Sequence, residues 1–129
     1  MVIFNLTRKW RADGPIAAVE GGLPKAAFHR LQRALGVPQK VAAEAFMIPL
    51  RTLSRRQRLL VPESDRVFRF AWLFQRAIEV LGEGSNARRW MQTPKKALGG
   101  ESPLRHARTE PGARQVEQLL GQVEHGVFS

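Results

Sequence analysis

PESDRVFRFAWLFQRAIEVL, residues 62–81, decides how the rest of the chain folds. Pro62 suits a first helical turn, and Glu63 and Asp65 place negative charge at the positive end of the helix macrodipole. Gly82 follows the last apolar residue and can take the left-handed conformation that ends a helix. Val67, Phe70, Ala71, Phe74, Ile78 and Leu81 recur at helical spacing and predict one buried stripe. Phe68, Trp72, Leu73, Ala77 and Val80 lie off that stripe and are apolar as well. A helix that is oily on most of its surface needs burial on more than one side. Two arrangements meet that need. One is a single crowded core helix; the other is a core helix that also packs against a second body, such as another copy of the chain.

Working outward, 129 residues suffice for one domain or two small helical lobes. A hydrophobic content of 43% supports a sizeable core and excludes a disordered chain. The absence of Cys excludes a disulfide scaffold and a thiolate metal site, and it suits a reducing compartment. No apolar run approaches the roughly 20 residues that a membrane helix needs. In MVIFNLTRKWRADG the charges follow a short apolar piece, the wrong order for a secretion signal. A cytoplasmic location without membrane attachment is the expectation.

The net charge of +10 is unevenly spread. Residues 24–61 carry Lys25, Arg30, Arg33, Lys40, Arg51, Arg55, Arg56 and Arg58 against Glu44 alone, a net of +7. Residues 1–23 contribute +1, residues 62–82 balance, and residues 83–129 contribute +2. A positive field confined to one segment is the footprint of a polyanion-binding module, with a solvated basic face as the plainer alternative.

Strand signals are nearly absent. Residues 2–6 are the one candidate, and they read equally as a loose arm. Turn residues cut the remainder into helices over 15–20, 25–35, 38–46, 50–58, 62–81, 85–91 and 110–125, with short turns at 94–98 and 103–107. The fold class is all-α.

Two short helices joined by Met47, Ile48 and Pro49 have the geometry of a helix-turn-helix, whose second helix enters the major groove. In VPQKVAAEAFMIPLRTLSRR, residues 37–56, Val41, Ala42, Ala45 and Phe46 are placed to pack inward. Ile48 plugs the turn and Leu53 holds the second helix to the core. Arg51, Thr52, Ser54, Arg55 and Arg56 are left to face outward. Arginine suits guanine O6 and N7 through two parallel hydrogen bonds, which makes Arg51 and Arg55 the candidates for base edges. Arg56, Arg58, Lys40 and Gln39 are the candidates for phosphates, and Thr52 completes the DNA-binding set. The segment resembles the Xre/Cro-type helix-turn-helix, with Gln39 at the position of a phosphate-contacting Gln and RTLSRR at the recognition helix. Met47 stands where that group has Gly, which predicts a different backbone for the turn. Pro49 and Leu50 replace polar residues at the start of the recognition helix, which predicts weaker or shifted base reading.

Beyond Gly82, WMQTPKKALGGESPLRHARTEPGARQVEQLLGQVEHG, residues 90–126, is punctuated by turn and cap signals. Gly99 and Gly100 permit a sharp turn, Ser102 can cap a helix with Pro103 at its first position, and Thr109 can cap the last helix. Val116, Leu119, Leu120 and Val123 form the buried face of that helix. Trp90, Leu98, Leu104 and Leu119 read as core. The exposed or terminal candidates for contact with another molecule are Gly99, Gly100, Glu101, Arg105, Arg108, Arg114, His125, Val127, Phe128 and Ser129. Phe128, close to the end of the chain, is either a wedge for a partner or part of a frayed end.

This order of motifs resembles the toxin-binding domain of Xre/ParS-type antitoxins, the partners of RES-domain toxins; with the helix-turn-helix the resemblance covers roughly residues 15–126. It implies a type II antitoxin that dimerises, binds operator double-stranded DNA of its own operon, and inhibits a cognate RES-domain toxin that depletes NAD. The implied inhibition is steric, by covering the entrance to the toxin's active site. The implied parts are a DNA-binding domain over 15–61, a connecting and dimerisation helix over 62–82, and a toxin-binding domain over 83–129.

No catalytic constellation is visible. His29, His106 and His125 lack metal-ligand spacing, no glycine loop is built to cradle phosphate, and no cofactor is expected. The competing functions are a stand-alone transcriptional regulator whose C-terminal unit only dimerises or senses another partner, and an adaptor whose basic segment meets RNA or an acidic protein.

Overall fold

A computed structural model describes residues 15–126. Helices α1 (Pro15–Glu20), α2 (Lys25–Leu35), α3 (Gln39–Phe46), α4 (Leu50–Arg55) and α5 (Val61–Leu81) are followed by α6 (Gly84–Gln92), a 3-10 turn (Lys96–Leu98), α7 (Pro103–His106) and α8 (Glu110–Glu124). The described residues hold no strand, only an isolated antiparallel bridge between Pro24 and Arg58. The protein is all-α. It divides into two compact units, one ending at Ala71 and the other beginning at Trp72, so α5 supplies residues to both.

In the first unit the core is aromatic. Phe28 of α2 meets Phe46 of α3 edge-on with ring centroids 5.4 Å apart, and Phe46 meets Phe70 of α5 at 4.8 Å. All three are fully buried, joined by Leu31, Leu35, Ile48 and Val67. Such ring pairs add about 0.5–1.5 kcal/mol each beyond the area they bury. Gly36, at φ 71°, ends α2 and returns its N–H to the carbonyls of Gln32 and Arg33.

The helix expected over 50–58 stops at Arg55. Residues beyond it are extended because they pair with the segment before α2: Leu59 N–H donates to Leu23 O at 2.8 Å, and Lys25 N–H donates to Gln57 O at 3.1 Å. Leu23 and Leu59 are both buried by this pairing. Gly22 makes it possible, since its φ is +77° and a Cβ there would lie 2.7 Å from Leu59 O.

Helix α5 begins at Val61, one residue before the proline expected to open it. Glu63 accepts from the Leu60 N–H at 2.8 Å and so supplies the return half of a capping box. The same carboxylate accepts from both terminal nitrogens of Arg56 at 3.2 and 3.1 Å. Ser64, fully buried, accepts from the Leu23 N–H at 2.8 Å. The start of the long helix is therefore a knot tying three segments of the unit.

In the second unit Leu73, Phe74 and Ala77 of α5 are buried, as are Ala87 and Met91 of α6 and Leu98, Leu104 and Ala107. Val116, Leu119 and Leu120 of α8 are buried as expected, while Val123 is only half-buried. Of the apolar residues off the main stripe of α5, Leu73 and Ala77 are buried, Phe68 and Val80 are half-buried, and Trp72 remains 41% exposed. Arg76 of α5 reaches Glu124 near the end of α8 at 3.0 Å. Gly99 and Gly100, at φ +68° and +89°, close a small loop in which Gly100 N–H donates to Lys95 O. Ser102 accepts from the Arg105 N–H and Thr109 from the Gly112 N–H, so both expected caps form.

Gly112 sits where the first turn of α8 passes the end of α7, and a Cβ on it would collide with the backbone oxygen of His106. Gly112→Ala is expected to cost about 1–3 kcal/mol. Gly121 lies on the same helix with nothing within 4 Å of an added Cβ. Gly121→Ala should therefore gain about 0.5–1 kcal/mol. Urea unfolding of the two variants reads both signs, and a Gly112→Ala protein as stable as its parent would rule out the close approach.

Candidate functional site

The helix-turn-helix is built from α3 and α4. Leu53 is buried and fixes the rotation of α4, which leaves Leu50, Arg51, Ser54 and Arg55 exposed on one face. Thr52, expected on that face, is half-buried. Gln39 and Lys40 are exposed at the start of α3. Val41, expected to pack inward, is 39% exposed, and Ala43 is buried in its place. The reason is phase: the buried arc of α3 centres on Ala42 and Phe46, and at 100° per residue Val41 falls at its rim.

The basic residues separate into two groups. The side chains of Lys40, Arg51 and Arg55 have no hydrogen-bond or ion-pair partner among the described residues. Arg56 and Arg58 are committed within the unit: Arg56 to Glu63, and Arg58 to the Gly22 carbonyl at 2.7 Å. Lys25 caps the end of α4 by donating to Leu53 O at 3.1 Å. The two arginines named for phosphates with Lys40 and Gln39 therefore hold structure. Their charge still adds to the field.

The turn between α3 and α4 does not change its backbone to suit Met47. Met47 takes the left-handed conformation at φ 57° and ψ 45°, and Ile48 N–H returns to Ala43 O at 3.0 Å. Left-handed backbone costs a non-glycine residue roughly 1–2 kcal/mol. Arg66 of α5 offsets this, donating through Nε to Phe46 O at 2.7 Å and through Nη2 to Met47 O at 3.1 Å. Sequence reading missed Arg66, because nothing in its own helix indicates which carbonyls it will meet.

In the second unit Glu101 is the centre of a polar cluster. Its carboxylate meets His106 Nδ1 at 2.8 Å and Arg108 Nη1 at 2.9 Å. His106 Nε2 meets Gln115 Oε1 of α8 at 2.5 Å, and Arg108 also donates to Arg105 O at 2.7 Å. A shallow cleft of about 240 Å³ opens there, lined by Glu101, His106, Arg108, Thr109, Gly112 and Gln115 among others. With acceptor oxygens at both ring nitrogens, the imidazolium form of His106 is favoured. The Gln115 oxygen first, and then Glu101, hold its pKa above the ordinary 6.5 against partial burial. Arg108 first, and then His106, hold Glu101 below the ordinary carboxylate value. His106 was passed over in the sequence because it was weighed only as a metal ligand.

The other candidates are placed less closely together. Gly99 and Gly100 are exposed at their turn, Arg105 is exposed on α7, and His125 is exposed at the end of α8. Arg114 pairs with Glu110 one turn away, both well exposed, an ion pair of little energetic weight. Val127, Phe128 and Ser129 lie outside the described residues, as does the candidate strand at 2–6. Leu98, Leu104 and Leu119 are core as expected, and half-buried Trp90 carries the Lys95 ammonium 4.9 Å from its ring centroid.

Among the described residues no helix is long and apolar enough to cross a membrane, and no group of three or more His, Asp or Glu is placed to hold a metal ion. Two family models match the chain, and they divide it as the structure does. Residues 14–71 match the antitoxin Xre-like helix-turn-helix domain, and residues 76–126 match the antitoxin Xre/MbcA/ParS C-terminal toxin-binding domain. The chain belongs to the Xre/MbcA/ParS antitoxin family. Antitoxin Xre of Pseudomonas putida is 43% identical over 84 residues, covering 62% of this chain and 53% of the relative. Antitoxin Xre of Yersinia enterocolitica is 40% identical over 98 residues, covering 72% of this chain and 66% of the relative. The match to this chain thus spans between about half and two thirds of the length of these two relatives. A protein of Sphingobium sp. called Prs ADP-ribosylating antitoxin is 29% identical over 127 residues, covering 88% of this chain and 80% of its own. Within this family member, the Glu101–His106–Gln115 cluster lies inside the segment matched as toxin-binding.

The raised His106 pKa sets a pH dependence. Its contribution to stability is fully present below about 6.5 and is lost as pH rises through the raised value. The Glu101 contribution runs the other way, present above its ordinary value and lost as pH falls through the lowered one. Urea unfolding from weakly acidic to weakly basic pH should show a decline in the parent that His106→Ala removes. A decline of equal size in that variant would assign it to another group.

Proposed function

We propose that this chain is a type II antitoxin that inhibits a cognate toxin through its C-terminal unit and binds operator DNA through its helix-turn-helix. The observation that carries the reading is the match of residues 76–126 to a toxin-binding domain, in a chain whose other unit is a helix-turn-helix. The toxin in this reading is a RES-domain protein that depletes NAD, and inhibition is steric, by covering the entrance to its active site. Gly99, Gly100, Glu101, Arg105, Arg108, Arg114 and His125, with residues 127–129, supply the contact. The assembly is a homodimer, so that two recognition helices meet half-sites about 34 Å or a multiple apart. Residues 15–61 bind DNA, 62–82 connect and dimerise, and 83–129 bind toxin.

The relative named for ADP-ribosylation supports a second reading of the toxin's chemistry, in which the toxin transfers ADP-ribose to a protein. Cellular NAD and protein-bound ADP-ribose, measured in cells expressing a neighbouring toxin gene, separate the two.

Co-expression tests the antitoxin reading. The full chain should restore growth and co-purify with the toxin encoded beside it, whereas a chain lacking residues 83–129 should do neither. Rescue by the truncated chain would sink the assignment. The DNA reading is tested by affinity against salt concentration. Arg51→Ala should lose roughly 1–3 kcal/mol on operator DNA and relax sequence preference. Lys40→Ala should weaken operator and random DNA alike and lower the salt slope by about one. Equal losses on both DNAs from Arg51→Ala would remove that residue from base reading.

A further inference from the structure

Between α3 and α4 runs an apolar groove of about 490 Å³, lined by Lys40, Ala43, Glu44, Met47, Pro49 and Leu50 among others. Met47 and Leu50 are 53% and 40% exposed, next to the face of α4 that carries Arg51 and Arg55. Met47 holds a left-handed backbone that glycine would adopt without cost, and it keeps a large exposed side chain there. The surroundings indicate what meets the Leu50 edge of the groove. Lys40, Arg51 and Arg55 bring unpaired cations to it and to the adjoining face, while Glu44 on its α3 wall repels phosphate. The occupant is then an uncharged apolar group carried by a polyanion. In the major groove of a DNA duplex only one group fits that description, the C5-methyl of thymine.

We propose that Leu50, backed by Pro49 and Met47, reads thymine through its C5-methyl group while Arg51 and Arg55 take neighbouring guanines. This rests on the DNA-binding reading above and names the base step it recognises. Pro49 and Leu50, which replace polar residues at the start of the recognition helix, then shift base reading from hydrogen bonds to apolar contact at that position.

Duplexes selected by the full chain from a pool randomised over about two helical turns provide the probe. Each thymine is replaced in turn by deoxyuridine, which deletes the methyl group and leaves the hydrogen-bonding edge intact. At one thymine per half-site the replacement should weaken binding by the parent about fourfold, the effect of exposing one buried carbon. Leu50→Ala should bind the thymine and deoxyuridine duplexes equally. Arg51→Ala should keep the fourfold difference while losing its preference for guanine. Leu50 is exposed, so the variant's unfolding curve should match that of the parent. The inference is overturned if no replacement changes the parent's affinity, or if Leu50→Ala retains the thymine preference. It is equally overturned if Leu50→Ala abolishes toxin capture or self-association with that preference intact, since the groove would then hold protein. A parent that selects no sequence and shows no salt-dependent binding removes the DNA-binding reading itself.

Discussion

A single helix of 21 residues carries more apolar side chain than one small core can cover, and the architecture follows from distributing it. Val67 and Phe70 go into the first unit, where Phe70 closes the aromatic row with Phe46 and Phe28. Leu73, Phe74 and Ala77 go into the second. The unit boundary between Ala71 and Trp72 thus falls inside continuous helix, with no linker. Such a shared element needs a well-defined start. Glu63 provides it by joining the helix N-terminus, the Arg56 guanidinium and the extended segment behind α4 in one set of hydrogen bonds.

The basic segment shows why net charge alone is a coarse guide to a binding surface. Lys25 and Arg58 each satisfy a backbone carbonyl, and Arg56 shares the Glu63 carboxylate with the Leu60 N–H. A guanidinium with five donors spans a helix end or an extended pairing more readily than a neutral side chain does. Lys40, Arg51 and Arg55 have no such duty and remain available to a polyanion. Both groups contribute to the long-range positive field of this segment. The second group can make short-range contacts without giving up any hydrogen bond within the fold.

The C-terminal unit illustrates the same economy in neutral residues. Its motif letters are the places where the backbone has no freedom: the Gly99–Gly100 turn, the Ser102 and Thr109 caps, and Gly112 against the end of α7. These residues hold short helices close enough to align Glu101, His106 and Gln115. A toxin-binding domain recognised through such letters is recognised by its scaffold.

The sequence alone made most helices and the Ser102 and Thr109 caps legible, because periodicity, proline, glycine and capping side chains act over one or two turns, but it did not place the unit boundary inside α5. It also located the positive field, and the resemblance of its motifs identified the family. It could not separate structural arginines from free ones, because Arg56 and Arg58 are identical in type to Arg51 and Arg55 and differ only in what lies within about 3 Å. The extended pairing of residues 23–25 with 57–59, which ends α4 early, joins segments more than 30 residues apart and leaves no local periodicity. Arg66 holding the Met47 turn and His106 bridging Glu101 to Gln115 are likewise decided by packing between helices. Only the tertiary structure chooses such partners, because hydrogen bonds between distant segments depend on where the cores bring the chain together.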